Sequence, residues 1–123
     1  MRRTWQRIYY AIATLRWSVL IAVIVLHALL SYFVLVVTGE TALISDFLVY
    51  FYYYTTTATT VGYGDLSPQT AAGRTAAAII ILPGAIALFT AVLGKAVSDI
   101  GNHWRRGLDG KASYASRHDH VVI

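Results

Sequence analysis

The sequence predicts an all-α membrane protein with two transmembrane helices and a shorter re-entrant helix between them. Three observations carry this. The 123 residues are 57% hydrophobic and 13% charged, too apolar for an ordinary soluble domain. The apolar residues gather in two uncharged runs, Ser18 to Val37 and Thr75 to Gly94, each close to the roughly 20 helical residues that cross about 30 Å of hydrocarbon. Between them Phe47 to about Ala58 has helical character but, at roughly 1.5 Å per residue, cannot span the bilayer.

Charge placement gives an orientation. Arg2, Arg3, Arg7 and Arg16 precede the first run; Lys95, Arg105, Arg106, Lys111 and Arg117 lie at or beyond the end of the second. The segment between holds Glu40, Asp46, Asp65 and only Arg74. The positive-inside rule then puts both termini in the cytoplasm and the connecting loop outside, so a multi-pass protein of the cell's inner (plasma) membrane is expected. The basic ends flank membrane spans and carry no nucleic-acid-binding motif, so anionic lipid headgroups are their expected partner and nucleic acid is not. The first run is too long for a signal-peptide core and no small-residue cleavage site follows it. With no cysteine, disulfides and thiolate metal sites are excluded.

Met1 to Arg16 mixes Trp5, Ile8, Tyr9, Tyr10, Ile12 and Leu15 with arginines. It is expected either as the headgroup-level start of a helix continuous with the first span, which is favoured, or as an amphipathic helix on the inner surface. The outer span carries one ionisable residue, His27. A neutral imidazole bonded to a neighbouring helix or carbonyl is preferred there over a pH sensor, because no carboxylate shares the helix. Thr38-Gly39-Glu40-Thr41 closes the span, and Ser45-Asp46 marks the N-terminus of the short helix. That helix carries Tyr50, Phe51, Tyr52, Tyr53 and Tyr54 and runs straight into Thr59-Thr60-Val61-Gly62-Tyr63-Gly64-Asp65. Its C-terminal partial negative charge suits a cation beyond it, and the two glycines admit φ > 0 at little cost.

The stretch Thr60-Val61-Gly62-Tyr63-Gly64-Asp65 resembles the selectivity filter of potassium channels without substitution, and the resemblance extends from about Ser18 to Trp104. It implies a potassium-selective pore in which the carbonyls of Thr60, Val61, Gly62 and Tyr63, with the Thr60 hydroxyl, replace the water of a K+ ion. One motif per chain implies a homotetramer. Ions would pass passively down their gradient, with K+ the only bound group and no organic cofactor. Tyr52 and Tyr53 fall where the family places an aromatic pair that braces the filter tyrosine of an adjacent subunit, Tyr53 being the stronger candidate. Asp65 is the expected partner of a phenol. Thr56 stands where some relatives carry a glutamate that shares a proton with the filter aspartate, so a carboxyl–carboxylate pair is not available here.

Leu66-Ser67-Pro68-Gln69-Thr70 leads out of the filter, and Gly73-Arg74 opens the inner helix. Gly84 matches the family's hinge glycine by offset, and Pro83 is a departure that predicts a kink, since it removes one helical hydrogen bond and crowds the Ile79 carbonyl. A bend serving an inner gate is favoured over a static kink. The family's lining face, carried over by offset, suggests Leu88, Val92 and Ala96 for the cavity and gate. Residues 1–107 are therefore expected to form the pore domain. Residues 108–123 are expected as a linker, with His118-Asp119-His120-Val121-Val122-Ile123 resembling the opening strand of a cytoplasmic RCK (regulator of potassium conductance) ligand-binding domain; a polar tail is the alternative. His103, His118 and His120 are expected as solvated side chains rather than metal ligands. Arginines do not recur at every third position, so a voltage sensor of the usual kind is not expected. A subunit of a potassium uptake transporter is the second reading, disfavoured by the single repeat and intact motif. No carboxylate pair, serine–histidine set or metal spacing supports an enzyme.

Overall fold

The computed structural model describes the backbone of residues 2–119 and the side chains of residues 2–110. Its elements are α1 (Arg2–Thr14), α2 (Trp17–Val37), α3 (Phe47–Ala58), α4 (Ala71–Ala76), a π-helical turn (Ala77–Ile81) and α5 (Leu82–Asp119). Among the described residues there is no strand. The last three elements follow without a break, so the inner helix runs on from Ala71.

The two long helices satisfy the length and hydropathy requirement for crossing a membrane, and only 17% of each apolar window is buried. A core helix of a soluble protein would be mostly covered. The exposed positions of α2 are large and apolar, Ile21, Leu26, Leu29 and Phe33 among them, as a lipid-facing surface requires.

The chain divides into two compact units, Leu15–Val92 and Met1–Thr14 with Leu93–Ile123. In the first, the core is Leu35, Leu43, Tyr50, Tyr53, Tyr54, Ala77, Ile81 and Ala85. Ala77, Ile81 and Ala85 recur every fourth residue and so share one face of the inner helix. Ala28 packs beside this core and Ser31 is fully buried; small residues let membrane helices approach closely. In the second unit, Lys95 is buried, with its ammonium 3.6 Å from Asp99 and 3.4 Å from the Ala13 carbonyl. That carbonyl belongs to the last turn of α1, where the helix end carries partial negative charge.

Three expectations change. The N-terminal segment is not continuous with the first span: α1 stops at Thr14, and Arg16 is extended (φ −69, ψ 143). The Thr14 hydroxyl bonds the Tyr10 and Ala11 carbonyls at 2.8 and 3.1 Å, competing with the Leu15 N–H for Ala11. Residues 108–119, expected as a linker, are helical and continue α5. Helical His118 and Asp119 cannot open a strand, and residues 120–123 lie outside the described residues. The kink expected at Pro83 takes the form of the π-turn just before it. The Leu82 N–H bonds the Ala77 carbonyl, five residues back, a wide turn that relieves the crowding a proline imposes on the preceding turn.

Candidate functional site

The short helix forms where expected. Asp46 is its N-cap and accepts from the Phe47 N–H at 2.7 Å. Its tyrosines divide by face. Tyr50 donates to the Ala28 carbonyl at 2.5 Å and Tyr54 meets His27, so both tie α3 to the outer helix. Tyr53 is also turned into its own chain's core, only 4% exposed. Tyr52 is the residue that stacks on the motif tyrosine within the chain: its ring lies parallel to Tyr63 at 6.2 Å, and its phenol interacts with Asp65.

After Ala58 the helix unwinds through hydrogen bonds to its own last turn. Thr59 N–H bonds the Thr55 carbonyl, Thr60 N–H bonds Thr57, and Gly62 N–H bonds Thr56, at 3.0, 3.1 and 3.0 Å. Thr56 thus supports the loop through its backbone, while its hydroxyl bonds the Tyr52 and Tyr53 carbonyls at 3.0 and 3.1 Å. Beyond this point φ is positive at every second residue: Thr60 at 62°, Gly62 at 50° and Gly64 at 80°. A backbone that alternates hand in this way can bring successive carbonyls to one side. Thr60 holds the left-handed conformation despite its β-branch, a strain of about 1–3 kcal/mol. Val61 and Tyr63, 54% and 72% exposed, have little of their own chain packed on them.

The loop leaves toward a buried anchor that sequence reasoning missed. The Gly39 N–H bonds the Val36 carbonyl and the Glu40 N–H bonds Leu35, with Gly39 at φ 76°. This is a Schellman stop, and it turns Glu40 inward until 2% of it is exposed. The Gln69 N–H donates to both carboxylate oxygens at 3.0 and 2.9 Å. The Thr70 N–H and hydroxyl donate to Oε1 at 2.8 and 2.7 Å. Thr70 also caps the inner helix, accepting from the Gly73 N–H at 2.9 Å. Burial alone would raise the Glu40 pKa; the bonds from Gln69 and Thr70, with the charge of Arg74, outweigh it and hold the carboxyl below its ordinary range. One carboxylate thereby fastens the end of the outer helix to the segment that carries the loop into the inner helix. The only sequence signal for this is an acid just past an apolar span, which reads equally well as a solvated loop residue.

On the inner helix, Leu88 and Val92 are partly covered. They lie three and seven residues after buried Ala85 and so share its side of the helix. The open positions from Leu82 to Leu93 are Leu82, Pro83, Ala87, Thr90 and Leu93, of which Ala87 and Thr90 lie on the side away from Ala85. A wide turn adds one residue, about 100° of rotation, to everything that follows it; within the single chain, Leu88 and Val92 are on the more covered side of the helix. Ala96, in the other unit, is partly covered. Among the described residues no group of three His, Cys, Asp or Glu could hold a metal ion.

Comparison with known proteins agrees with this architecture. The family model described as "Ion channel" matches residues 18–100. A Bacillus subtilis (strain 168) protein named "Putative potassium channel protein YugO" is 30% identical over 114 residues, covering 91% of this chain and 34% of the relative. The chain thus spans about a third of the length of that relative. No solved structure matches. Two membrane-length helices, the short helix and motif loop between them, and a family match reaching from the outer span into the inner one make this chain a member of the ion channel family, a channel and not an enzyme.

Proposed function

We propose that the chain is the pore-forming subunit of a potassium-selective channel, four copies surrounding one axis. The observation that carries this reading is the alternation of hand at Thr60, Gly62 and Gly64, directly after a helix too short to cross the membrane. Carbonyls of Thr60, Val61, Gly62 and Tyr63, with the Thr60 hydroxyl, would take the place of water around a desolvated K+ ion. The name of the Bacillus subtilis relative supports the choice of potassium. The exposure of Val61 and Tyr63 supports more than one chain, since a loop that must hold fixed width needs its outward side chains braced. Tyr52 supplies one brace and neighbouring copies would supply the rest. Charge asymmetry supports an inner (plasma) membrane location with both termini cytoplasmic. Support for a cytoplasmic RCK ligand-binding domain is thinner, because the described part of its supposed first strand is helical.

The test is a potassium-driven flux assay on the purified chain in liposomes, repeated with sodium. Selective potassium flux at rates far above carrier turnover is the expected result. Slow, saturating flux would favour an uptake transporter subunit, and equal sodium leak from a folded oligomer would overturn the selectivity.

A further inference from the structure

His27 sits in a contact among three elements. Its Nδ1 lies 2.8 Å from the Tyr54 hydroxyl on α3, and its Nε2 lies 3.4 Å from the Ile80 carbonyl in the π-turn. A carbonyl only accepts, so the ring proton belongs on Nε2, and the Tyr54 hydroxyl donates to Nδ1. A neutral imidazole then uses both nitrogens, which lowers the cost of a polar ring within the membrane. The same ring fills the space over Gly84. A Cβ added there would collide with Nε2, Cδ2 and Cε1 of the imidazole, and Gly84 has no left-handed φ to explain its glycine.

We propose that His27 is a positioning residue that clamps the inner helix to the short helix behind the filter, with Gly84 the notch that admits its ring. This rests on the channel reading above. Tyr54 lies one helical turn before Ala58, where α3 gives way to the filter loop, and Ile80 lies three residues before Pro83. A bend at Pro83–Gly84 must either pull the Ile80 carbonyl off the ring or carry the ring with it. The ring in turn holds Tyr54. Bending of the inner helix and displacement of the filter-bearing helix are therefore linked through one side chain, and the absence of a side chain at Gly84 serves that contact rather than free hinging.

A double-mutant cycle in the full chain tests this, using Gly84→Ala, His27→Ala and the pair. Each variant is read by potassium flux from liposomes and by the thermal midpoint of the purified protein. Gly84→Ala alone is expected to lower flux about tenfold, equivalent to ~1.4 kcal/mol, within the range of an overpacked contact. In the His27→Ala background the same change is expected to cost less than about twofold, because the ring that obstructs the new methyl is gone. Single-variant effects that simply multiply, in flux and in midpoint, would overturn the notch and return Gly84 to a hinge. If Gly84→Ala does not fold, restoration by His27→Ala supports the proposal, and a pair that also fails to fold overturns it. Tyr54→Phe keeps ring volume and removes the bond to Nδ1. It is expected to shift flux in the same direction as His27→Ala, and unchanged flux would overturn the link to the filter helix. A wild-type chain without selective flux would sink the channel reading, while the midpoint cycle would still decide the notch.

Discussion

At Gly62 and Gly64 an added Cβ would meet nothing within 4 Å, yet both residues stand at positive φ. At Gly73 and Gly84 the situation is reversed: φ is not left-handed, and a Cβ would run into the Glu40 carboxylate in one case and the His27 imidazole in the other. The loop after the short helix uses glycine for conformation and the inner helix uses it for space. The difference matters because the two demands fail differently. A conformational glycine cannot be rescued by trimming a neighbour, whereas a spatial glycine can.

The largest effect is therefore expected in the loop. Gly62→Ala forces an L-residue into a left-handed backbone at about 1–2 kcal/mol, incurred in every chain of the proposed tetramer. Potassium flux is expected to fall by at least about two orders of magnitude, since four such penalties sum to roughly 4–8 kcal/mol. No second substitution nearby should restore it. Near-normal selective flux from Gly62→Ala would mean that the working loop differs from the backbone described above.

Next comes the buried anchor. Glu40→Ala leaves the Gln69 and Thr70 N–H groups without their acceptor and the Thr70 hydroxyl with only the Thr38 carbonyl at 3.2 Å, a loss of about 2–4 kcal/mol of stability, seen as a lower thermal midpoint. Glu40→Gln keeps an acceptor and should cost less. The pH dependence has a definite sign. Because the folded carboxyl titrates below the ordinary glutamate value of 4.5, its stabilisation is present above that value and is lost as the pH falls through the lower, folded one. The wild type should lose more stability on acidification through this window than Glu40→Gln, and parallel curves would remove Glu40 from the account.

How far these features could be read from the chain follows from the same contrast. The motif glycines announce themselves because conformation is local: Gly62 and Gly64 flank a single residue, and the short helix from Phe47 to Ala58 ends two residues before Thr60. Both spans are equally local in their composition. The role of Glu40 was not legible, and for His27 the expected bond to a neighbouring helix or carbonyl was met but its partners could not be named, because those partners lie 27 to 57 residues away and only folding brings Gln69, Thr70, Tyr54, Ile80 and Gly84 to them. The form of the inner-helix kink lies between these cases. Pro83 announces a disruption, but whether the helix kinks sharply or widens into a π-turn depends on what packs against the preceding residues.

That turn gives a smaller and more diagnostic effect. Cysteine introduced at Ala87 or Thr90, on the side of the inner helix away from the outer one, is expected to react with a cationic thiol reagent and reduce flux at least about tenfold faster than cysteine at Leu88 or Val92, since about 100° of rotation separates one residue from the next. Faster modification at Leu88 and Val92 would mean that the conducting form lacks the wide turn, and it would return the lining face to the one carried over by family offset.

The smallest effect, with opposite sign, belongs to a glycine under neither demand. Gly94 has no left-handed φ, and a Cβ on it would meet nothing within 4 Å in its own chain. In a helix interior such a residue is a liability, and Gly94→Ala should stabilise each chain by about 0.5–1 kcal/mol, raising the thermal midpoint by a few degrees without altering ion selectivity. A destabilised Gly94→Ala would be informative in another way. With no atom of its own chain to collide with, the added methyl could only be meeting a second copy. Gly94 would then mark where neighbouring inner helices approach one another, and spatial glycines would occur between chains as well as within one.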